Sequence, residues 1–266
     1  MKMFGGMSEA AGNCAAEALR LFGFWERRCV ACREPFEPDA ERENTPEGVL
    51  SRFFCSECRK KMKRRRTGFC PYCGEPSVWE EAPCAPCGQC LVRTPPWNDF
   101  LFFGVYGGLL RELVLRMTFG GSLACAEALG HLLAALCVEH YAVTAKPDVI
   151  VPMPLDGCRL HERGFNQCRE IVRPVSAALG VPVRSDLLTK IRSVTPQELL
   201  NREERQKLKQ PFGCADARGL RTLLVDDVCT TGATLRRAAE CLLSAGAVSV
   251  DVAVLARSSR FENHES

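Results

Sequence analysis

The chain has 266 residues, of which 46% are hydrophobic and 25% charged, as is ordinary for a soluble globular protein. Its net charge of +3 is too small to indicate nucleic-acid binding by itself. No uninterrupted apolar run approaches the ~20 residues of a membrane-spanning helix. Met1 to Glu9 show no signal peptide, so we expect a cytoplasmic protein without a membrane span.

The first 28 residues form a leader that the sequence leaves undecided between a short helix and a loose segment. Ala15, Leu19 and Phe22 stand at helical spacing within the stretch Ala11 to Phe24. Residues 29–93 are rich in cysteine and proline and contain few long periodic segments. Such a region buries little apolar surface, so we expect a bound metal to supply its folding energy.

Cysteine is the outlier of the composition, with 17 residues against four histidines. The C-x2-C spacing in a long chain without a signal peptide favours zinc over disulfides. Two tetrahedral sites are the natural arrangement, because zinc in a closed structural site takes four thiolates. The first set is Cys29, Cys32, Cys55 and Cys58; the second is Cys70, Cys73, Cys87 and Cys90.

Several alternatives to this arrangement stay open at the level of sequence. Cys84 is spare and can replace Cys87 or Cys90, and the pairs can also be shared in a crossed order. The number of cysteines also fits one zinc ion, two zinc ions, free thiols or an iron–sulfur site. The basic run Arg59–Arg66 is either a contact for a phosphate backbone or a solvated helix face.

From residue 99 to 257 the pattern changes to alternating strands and helices. This alternation predicts an α/β domain with a mainly parallel sheet and helices on both faces, followed by a tail, 258–266. Pro174 is expected to kink or interrupt the third helix. The predicted strands are Phe100–Tyr106, Asp148–Val151, Leu220–Val225 and Ser249–Leu255; the predicted helices are Leu109–Met117, Ala124–Glu139, Gly164–Leu179 and Ala233–Ser244.

The strongest functional motif follows the strand that ends at Val225. Asp226 and Asp227 stand at its carboxyl end, where ligands bind in open α/β sheets. A loop of small residues then enters a helix, so that backbone N–H groups and the helix dipole favour phosphate. We expect the acids to accept hydrogen bonds from ribose hydroxyls and the loop to bind a 5′-phosphate. The candidate loop residues are Val228, Thr230, Thr231, Gly232, Ala233 and Thr234.

A second strand end, at Val151, supplies the opposite wall of the expected site. Met153 and Pro154 follow the strand, and Arg159 and Arg163 are suited to bind pyrophosphate because guanidinium groups pair with phosphate oxygens. Asp226, Asp227 and Arg163 are the candidate catalytic residues. A polar stretch that begins at Lys190 is a candidate lid over the ligand.

The acid pair and the threonine loop resemble the signature of phosphoribosyltransferases that use 5-phosphoribosyl-1-pyrophosphate (PRPP). Together with the cysteine pairs and further motifs, they make the chain resemble the ComF family from about Cys29 to Arg257. The further motifs are Tyr106-Gly107-Gly108-Leu109-Leu110-Arg111, Phe119-Gly120-Gly121, Val151-Pro152-Met153-Pro154, Glu162-Arg163-Gly164-Phe165-Asn166-Gln167 and Thr195-Pro196-Gln197.

The resemblance implies a type I phosphoribosyltransferase-like fold after a small zinc-ribbon domain, structural Zn²⁺, and PRPP bound with Mg²⁺. It also implies a link to natural competence and DNA use, with single-stranded DNA and a competence helicase as partners. Three positions depart from the family pattern: Thr118 replaces a usual Lys, Asp156-Gly157 replaces His-Pro, and Leu208 replaces a usual Asn. The acceptor stays open, as does a non-catalytic role as a nucleotide sensor or docking adaptor.

Overall fold

The computed structural model describes residues 27–38, 45–154, 167–191 and 212–259. Its strands are β1 (Arg27–Arg28), β2 (Pro35–Phe36), β3 (Phe100–Val105), β4 (Val149–Pro152), β5 (Leu188–Lys190), β6 (Phe212–Cys214), β7 (Arg221–Cys229) and β8 (Ser249–Arg257). Its helices are α1 (Pro46–Phe53), α2 (Ser56–Lys61), α3 (Gly88–Val92), α4 (Gly108–Thr118), α5 (Leu123–Tyr141), α6 (Gln167–Leu179) and α7 (Ala233–Ser244).

The central sheet has the strand order β3-β8-β7-β4, and every neighbouring pair is parallel. Its two faces are both buried, as the alternation along β7 demonstrates. Leu223 and Val225 join the core that contains α4, α5 and α6, whereas Leu224 joins the core that contains α7. A parallel sheet needs cover on both faces because each strand is apolar on both sides. The predicted α/β fold class is therefore confirmed.

The largest difference from the predicted elements concerns the end of β7. We expected the strand to end at Val225, but its pairing with β8 continues through Cys229, which lies opposite Arg257. The apolar pattern stops at Val225 because the next two residues are acidic. The ladder continues because backbone hydrogen bonds do not depend on side-chain polarity.

Helix α6 continues through Pro174, so the interruption that was one of the two expected outcomes does not occur. The hydrogen bond lost at proline is offset by close packing of α6 against α5. A Cβ atom added at Gly130 would lie only 3.0 Å from the Pro174 ring and from the Ile171 carbonyl. Residues 164–166, where the helix was expected to begin, lie outside the described residues.

Helix α5 is long and apolar enough, at 19 residues, to meet the length and composition of a membrane span. Within the described part of the chain it is the one helix that does so. It lies against the sheet, α1 and α6, and 61% of its apolar window is buried. A helix that is apolar on all sides is what such a central position requires.

A small two-stranded antiparallel sheet, β5 with β6, lies on the α7 side of the molecule. A disulfide joins Cys214 of β6 to Cys241 of α7, two cysteines outside the predicted zinc sets. Lys190, the first residue of the predicted lid, ends β5; positions 192–211 lie outside the described residues, and so does the predicted N-terminal helical stretch Ala11–Phe24.

Candidate functional site

The eight predicted metal ligands form two separate tetrads in the natural order. Within each tetrad all four sulfur atoms lie within 4.8 Å of one another. The Sγ atoms of Cys32 and Cys55 are 3.7 Å apart, as are those of Cys73 and Cys87. A tetrahedron with Zn–S bonds of about 2.3 Å separates its sulfurs by about 3.8 Å. Both tetrads can therefore hold zinc, and the crossed arrangement is wrong.

Backbone turns shape both tetrads in the same way. The Cys29 N–H donates to the Glu34 carbonyl at 2.9 Å, and the Cys70 N–H donates to the Glu75 carbonyl at 2.9 Å. In the second tetrad the Cys87 N–H also donates to the Cys70 sulfur at 3.3 Å. An amide that donates to sulfur in this way stabilises the thiolate form. The spare cysteine, Cys84, is exposed and belongs to neither set.

The basic run is largely engaged in contacts within the protein. Arg64 pairs with Glu139 at 2.8 Å, and Arg66 pairs with Glu47 at 2.6 Å. Arg65 donates to the carbonyls of Gly68 and Ser77, each at 2.8 Å. Helix α2 ends at Lys61, so the run is not one helix face. The Arg64 side chain thus joins the cysteine-rich region to α5, whereas the Arg65 and Arg66 side chains bond within that region.

The acid pair lies at the carboxyl edge of the sheet, defined by the ends of β3, β4, β7 and β8. The Asp227 N–H donates to Asp226 Oδ1 at 2.9 Å, and the Val228 N–H donates to Asp227 Oδ1 at 2.7 Å. Burial, followed by the charge of Asp227, raises the pKa of Asp226 to about 8. This raised pKa favours the protonated form of the Asp226 carboxyl at neutral pH.

Two side chains from other elements contact the acids. The Cys168 thiol, on α6, donates to Asp226 Oδ1 at 3.5 Å. Burial, then the charges of the two acids, raises the pKa of Cys168 well above its usual value, so the thiol keeps its proton. The Thr118 hydroxyl, at the end of α4, donates to Asp227 Oδ2 at 3.3 Å. Where the ComF pattern has a cation, this chain supplies a neutral hydrogen-bond donor.

The loop that follows the acids is shorter than predicted. Val228 and Cys229 belong to β7, and the Val228 N–H is already bonded to Asp227, so the loop proper is 230–232. Thr230 and Thr231 are exposed, and Gly232 caps α7 with φ of 74°, a conformation that suits glycine. Ala233 and Thr234 form the first turn of α7 and are exposed. Their position at a helix N-terminus suits an anion.

The second predicted wall lies beside the acid pair. The Met153 N–H donates to the Val225 carbonyl at 2.8 Å, which places Met153 and Pro154 next to the start of the acid pair. Arg159 and Arg163 lie outside the described residues.

A fully buried arginine, Arg257, ends β8 beneath the loop and was not predicted from the sequence. Its guanidinium group pairs with the buried carboxylate of Glu75 and donates to the Thr230 carbonyl. It also donates to the carbonyls of Cys73 at 2.9 Å and Cys229 at 3.2 Å. Its sequence signal is weak: one charged residue that ends an apolar strand.

A tryptophan, Trp97, makes a second connection between the same cysteine tetrad and the loop. Its Nε1–H donates to the Tyr72 carbonyl, inside the Cys70–Cys73 turn, at 2.6 Å. A Cβ atom at Gly232 would lie 3.9 Å from its ring. Arg236 of α7 stands over the ring at 6.0 Å from its centroid. The sequence analysis did not single out Trp97, because nothing local marks its contacts.

Comparison with known proteins places this architecture in a family. The family model described as phosphoribosyl transferase domain matches residues 127–265. The DNA utilization protein YhgH of Salmonella typhimurium is 35% identical over 207 residues, which cover 76% of this chain and 89% of that protein.

Two proteins with competence names are also similar. Competence protein ComFC of Bacillus subtilis is 31% identical over 77% of this chain and 84% of its own length. Competence protein F of Haemophilus influenzae is 29% identical over 89% of this chain and 100% of its own length. The cysteine tetrads, the parallel sheet and the acid-pair loop agree with these matches, and the chain therefore belongs to the ComF family of proteins with a phosphoribosyl transferase domain.

Proposed function

We propose that this protein binds PRPP, or a related ribose 5-phosphate ligand, with Mg²⁺ at the carboxyl edge of its sheet. Asp226 and Asp227 accept hydrogen bonds from the ribose hydroxyls, and the N–H groups of residues 230–234 bind the 5′-phosphate. The observation that carries this proposal is the position of the acid pair, which ends β7 directly before an exposed loop and the N-terminus of α7.

The proposed reaction transfers the phosphoribosyl group to an acceptor. The bond between the anomeric carbon and pyrophosphate breaks while a bond to the acceptor forms. Mg²⁺, bound together with PRPP, would neutralise charge on the pyrophosphate. The chain contributes by holding the ribose, because positive charge develops at the anomeric carbon and electrostatic positioning lowers the barrier. Arg163 and Arg159 remain the proposed pyrophosphate contacts.

The proposed cellular role follows from the relatives, which are named as competence and DNA utilization proteins. We place the activity in the uptake or use of DNA in the cytoplasm. Single-stranded DNA and a competence helicase are the proposed macromolecular partners.

A non-catalytic nucleotide or PRPP sensor is the second candidate, and one contact favours it. Thr118 offers Asp227 a neutral hydroxyl where the family pattern has a lysine. Without that cation, the site keeps its hydrogen bonds to the ribose but has less positive charge near the acids. Binding is then preserved better than turnover.

Calorimetry with PRPP and Mg²⁺ tests the proposal on the wild type and on Asp226→Asn/Asp227→Asn. We expect the double variant to bind about 10-fold more weakly, because a charge-assisted hydrogen bond from the ribose to the acid pair becomes a bond to a neutral amide. Asp186→Asn, at an exposed acid paired with Arg184, is the matched control and should bind like the wild type.

Absence of PRPP binding by the wild type would contradict both candidate functions. Binding accompanied by pyrophosphate release, in a screen of acceptor bases, supports the transferase. Binding without release for any acceptor supports the sensor.

A further inference from the structure

We propose that Arg257, held by Glu75, is a positioning residue through which the second cysteine tetrad orients the phosphate-binding loop. The identity of the ligand in this inference rests on the proposed function. The inference adds a role for the zinc region. Arg257 and Glu75 are 182 positions apart in sequence, yet they meet directly beneath the loop.

The contacts of Arg257 divide into two groups. On one side the guanidinium group meets the second tetrad, through the Cys73 carbonyl and the Glu75 carboxylate. On the other side it meets the end of β7, through the carbonyls of Cys229 and Thr230. The side chain is fully buried, and the Ser258 carbonyl accepts a further bond at 2.7 Å.

These carbonyl contacts fix the direction of the loop amides. In a planar trans peptide the C=O of one residue and the N–H of the next point in opposite directions, and no cis peptide is present in the described residues. With the carbonyls of Cys229 and Thr230 turned inward to Arg257, the N–H groups of Thr230 and Thr231 point outward. Among the described residues neither N–H has an acceptor. Both are thus free for a phosphate oxygen.

Of these two amides, the Thr231 N–H depends more on Arg257 for its orientation. The Cys229 carbonyl also accepts from the Ser258 N–H at 2.9 Å, so strand pairing holds it as well. The Thr230 carbonyl accepts from Arg257. Loss of the guanidinium group should therefore disturb the Thr231 N–H more than the Thr230 N–H.

The tetrad holds the other end of this connection. The Glu75 carbonyl accepts from the Cys70 N–H at 2.9 Å, and the Gly74 N–H donates to the Cys70 carbonyl at 2.8 Å. Closure of the tetrad around zinc therefore fixes the backbone that carries Glu75. A buried arginine needs such a partner, because an unpaired buried charge is strongly destabilising.

The chain offers a matched control at the first tetrad. Arg116 of α4 donates to the Ala31 carbonyl, between Cys29 and Cys32, at 2.6 Å. It makes the same kind of contact, from a guanidinium group to a cysteine turn, but its second partner is Glu112 on its own helix and not the end of β7. Arg116→Lys therefore tests whether every bond from an arginine to a cysteine turn affects ligand binding, or only the bond made by Arg257.

The experiment measures ribose 5-phosphate affinity by calorimetry for the full chain, Arg257→Lys, Glu75→Gln and Arg116→Lys, with zinc content determined for each. We expect Arg257→Lys to weaken binding by about 10- to 100-fold, the loss of one charge-assisted hydrogen bond. Glu75→Gln should weaken it less, and Arg116→Lys should stay within about twofold of the wild type. If Arg257→Lys does not fold, the ribose 5-phosphate affinity of Glu75→Gln tests the inference in its place.

Amide chemical shifts and hydrogen exchange of the ligand-free proteins separate this inference from the proposed function. The Thr231 N–H should change in Arg257→Lys and Glu75→Gln, and the Thr230 N–H less, while Arg116→Lys leaves both unchanged. If the wild type binds neither PRPP nor ribose 5-phosphate, the proposed function is wrong, and these amides still test the coupling. Unchanged amides together with unchanged affinity in both variants would overturn the inference.

Discussion

The two cysteine tetrads share four thiol ligands, the C-x2-C spacing within each pair and the turn geometry, yet they contact different parts of the molecule. The first lies within the larger core, where Cys29 and Cys58 pack with Phe54 and Met62 near α4 and α5. The second meets the carboxyl edge of the sheet through Arg257 and Trp97. Under the proposals above, two candidate zinc sites with the same ligand set serve stability in one case and the proposed ligand site in the other.

The largest effects are expected when one cysteine ligand is removed from each tetrad in turn, which tests whether the two tetrads differ in role. Cys32→Ser and Cys73→Ser should each lose one of two zinc ions, and both should melt at lower temperature, because structural zinc contributes about 10 kcal/mol in small zinc domains. Ribose 5-phosphate affinity should fall at least about 100-fold in Cys73→Ser alone.

Elemental analysis, thermal unfolding and calorimetry on the same preparations supply the three measurements. Equal losses of affinity in both variants, with both folded at the assay temperature, would show that the tetrads do not differ in role.

Replacement of Trp97 tests the second contact between the second tetrad and the loop, with a smaller expected effect. Trp97→Ala should lower the free energy of unfolding by about 3–5 kcal/mol, because a large buried ring leaves a cavity. Trp97→Phe should cost about 1 kcal/mol for the lost bond to the Tyr72 carbonyl. Trp79→Ala is the control, since its side chain is 76% exposed. Denaturant unfolding measures all three, and a Trp97→Ala cost as small as that of Trp79→Ala would contradict the packing argument.

The smallest expected effect is a pH dependence of the free energy of unfolding that arises from the acid pair. This effect depends on neither tetrad. With the pKa of Asp226 raised to about 8, the folded protein binds one more proton than the unfolded chain between about pH 4 and pH 8. Wild-type stability should therefore fall as pH rises through this window. Asp226→Asn should remove that fall and be more stable than the wild type at pH 8, by on the order of 2 kcal/mol.

Unfolding free energies of both proteins at pH 5 and pH 8, with zinc content held equal, check this prediction. A wild type whose stability relative to Asp226→Asn does not change with pH would show that Asp226 is ionised throughout.

Much of the fold could be predicted from local pattern. The strand and helix periods located β3, β4, β8, α4, α5 and α7 to within a few residues, because a buried face imposes its repeat on the sequence. The end of β7 and the continuity of α6 through Pro174 could not be predicted in this way. Backbone pairing with β8 and packing against Gly130 decide them, and both involve distant parts of the chain.

The sequence by itself determined the C-x2-C pairs, the acid pair and the loop that enters α7, whereas the structure decided which cysteine pairs share a tetrad. Each is encoded by spacing within a short segment, and zinc and phosphate both demand such spacing. Only the tertiary structure decided that Cys168, 58 positions away, contacts Asp226, and that Arg257 joins a cysteine turn to the loop. Side chains brought together by folding leave no periodic trace, because the sheet and its packing, not the local chain, set their distance.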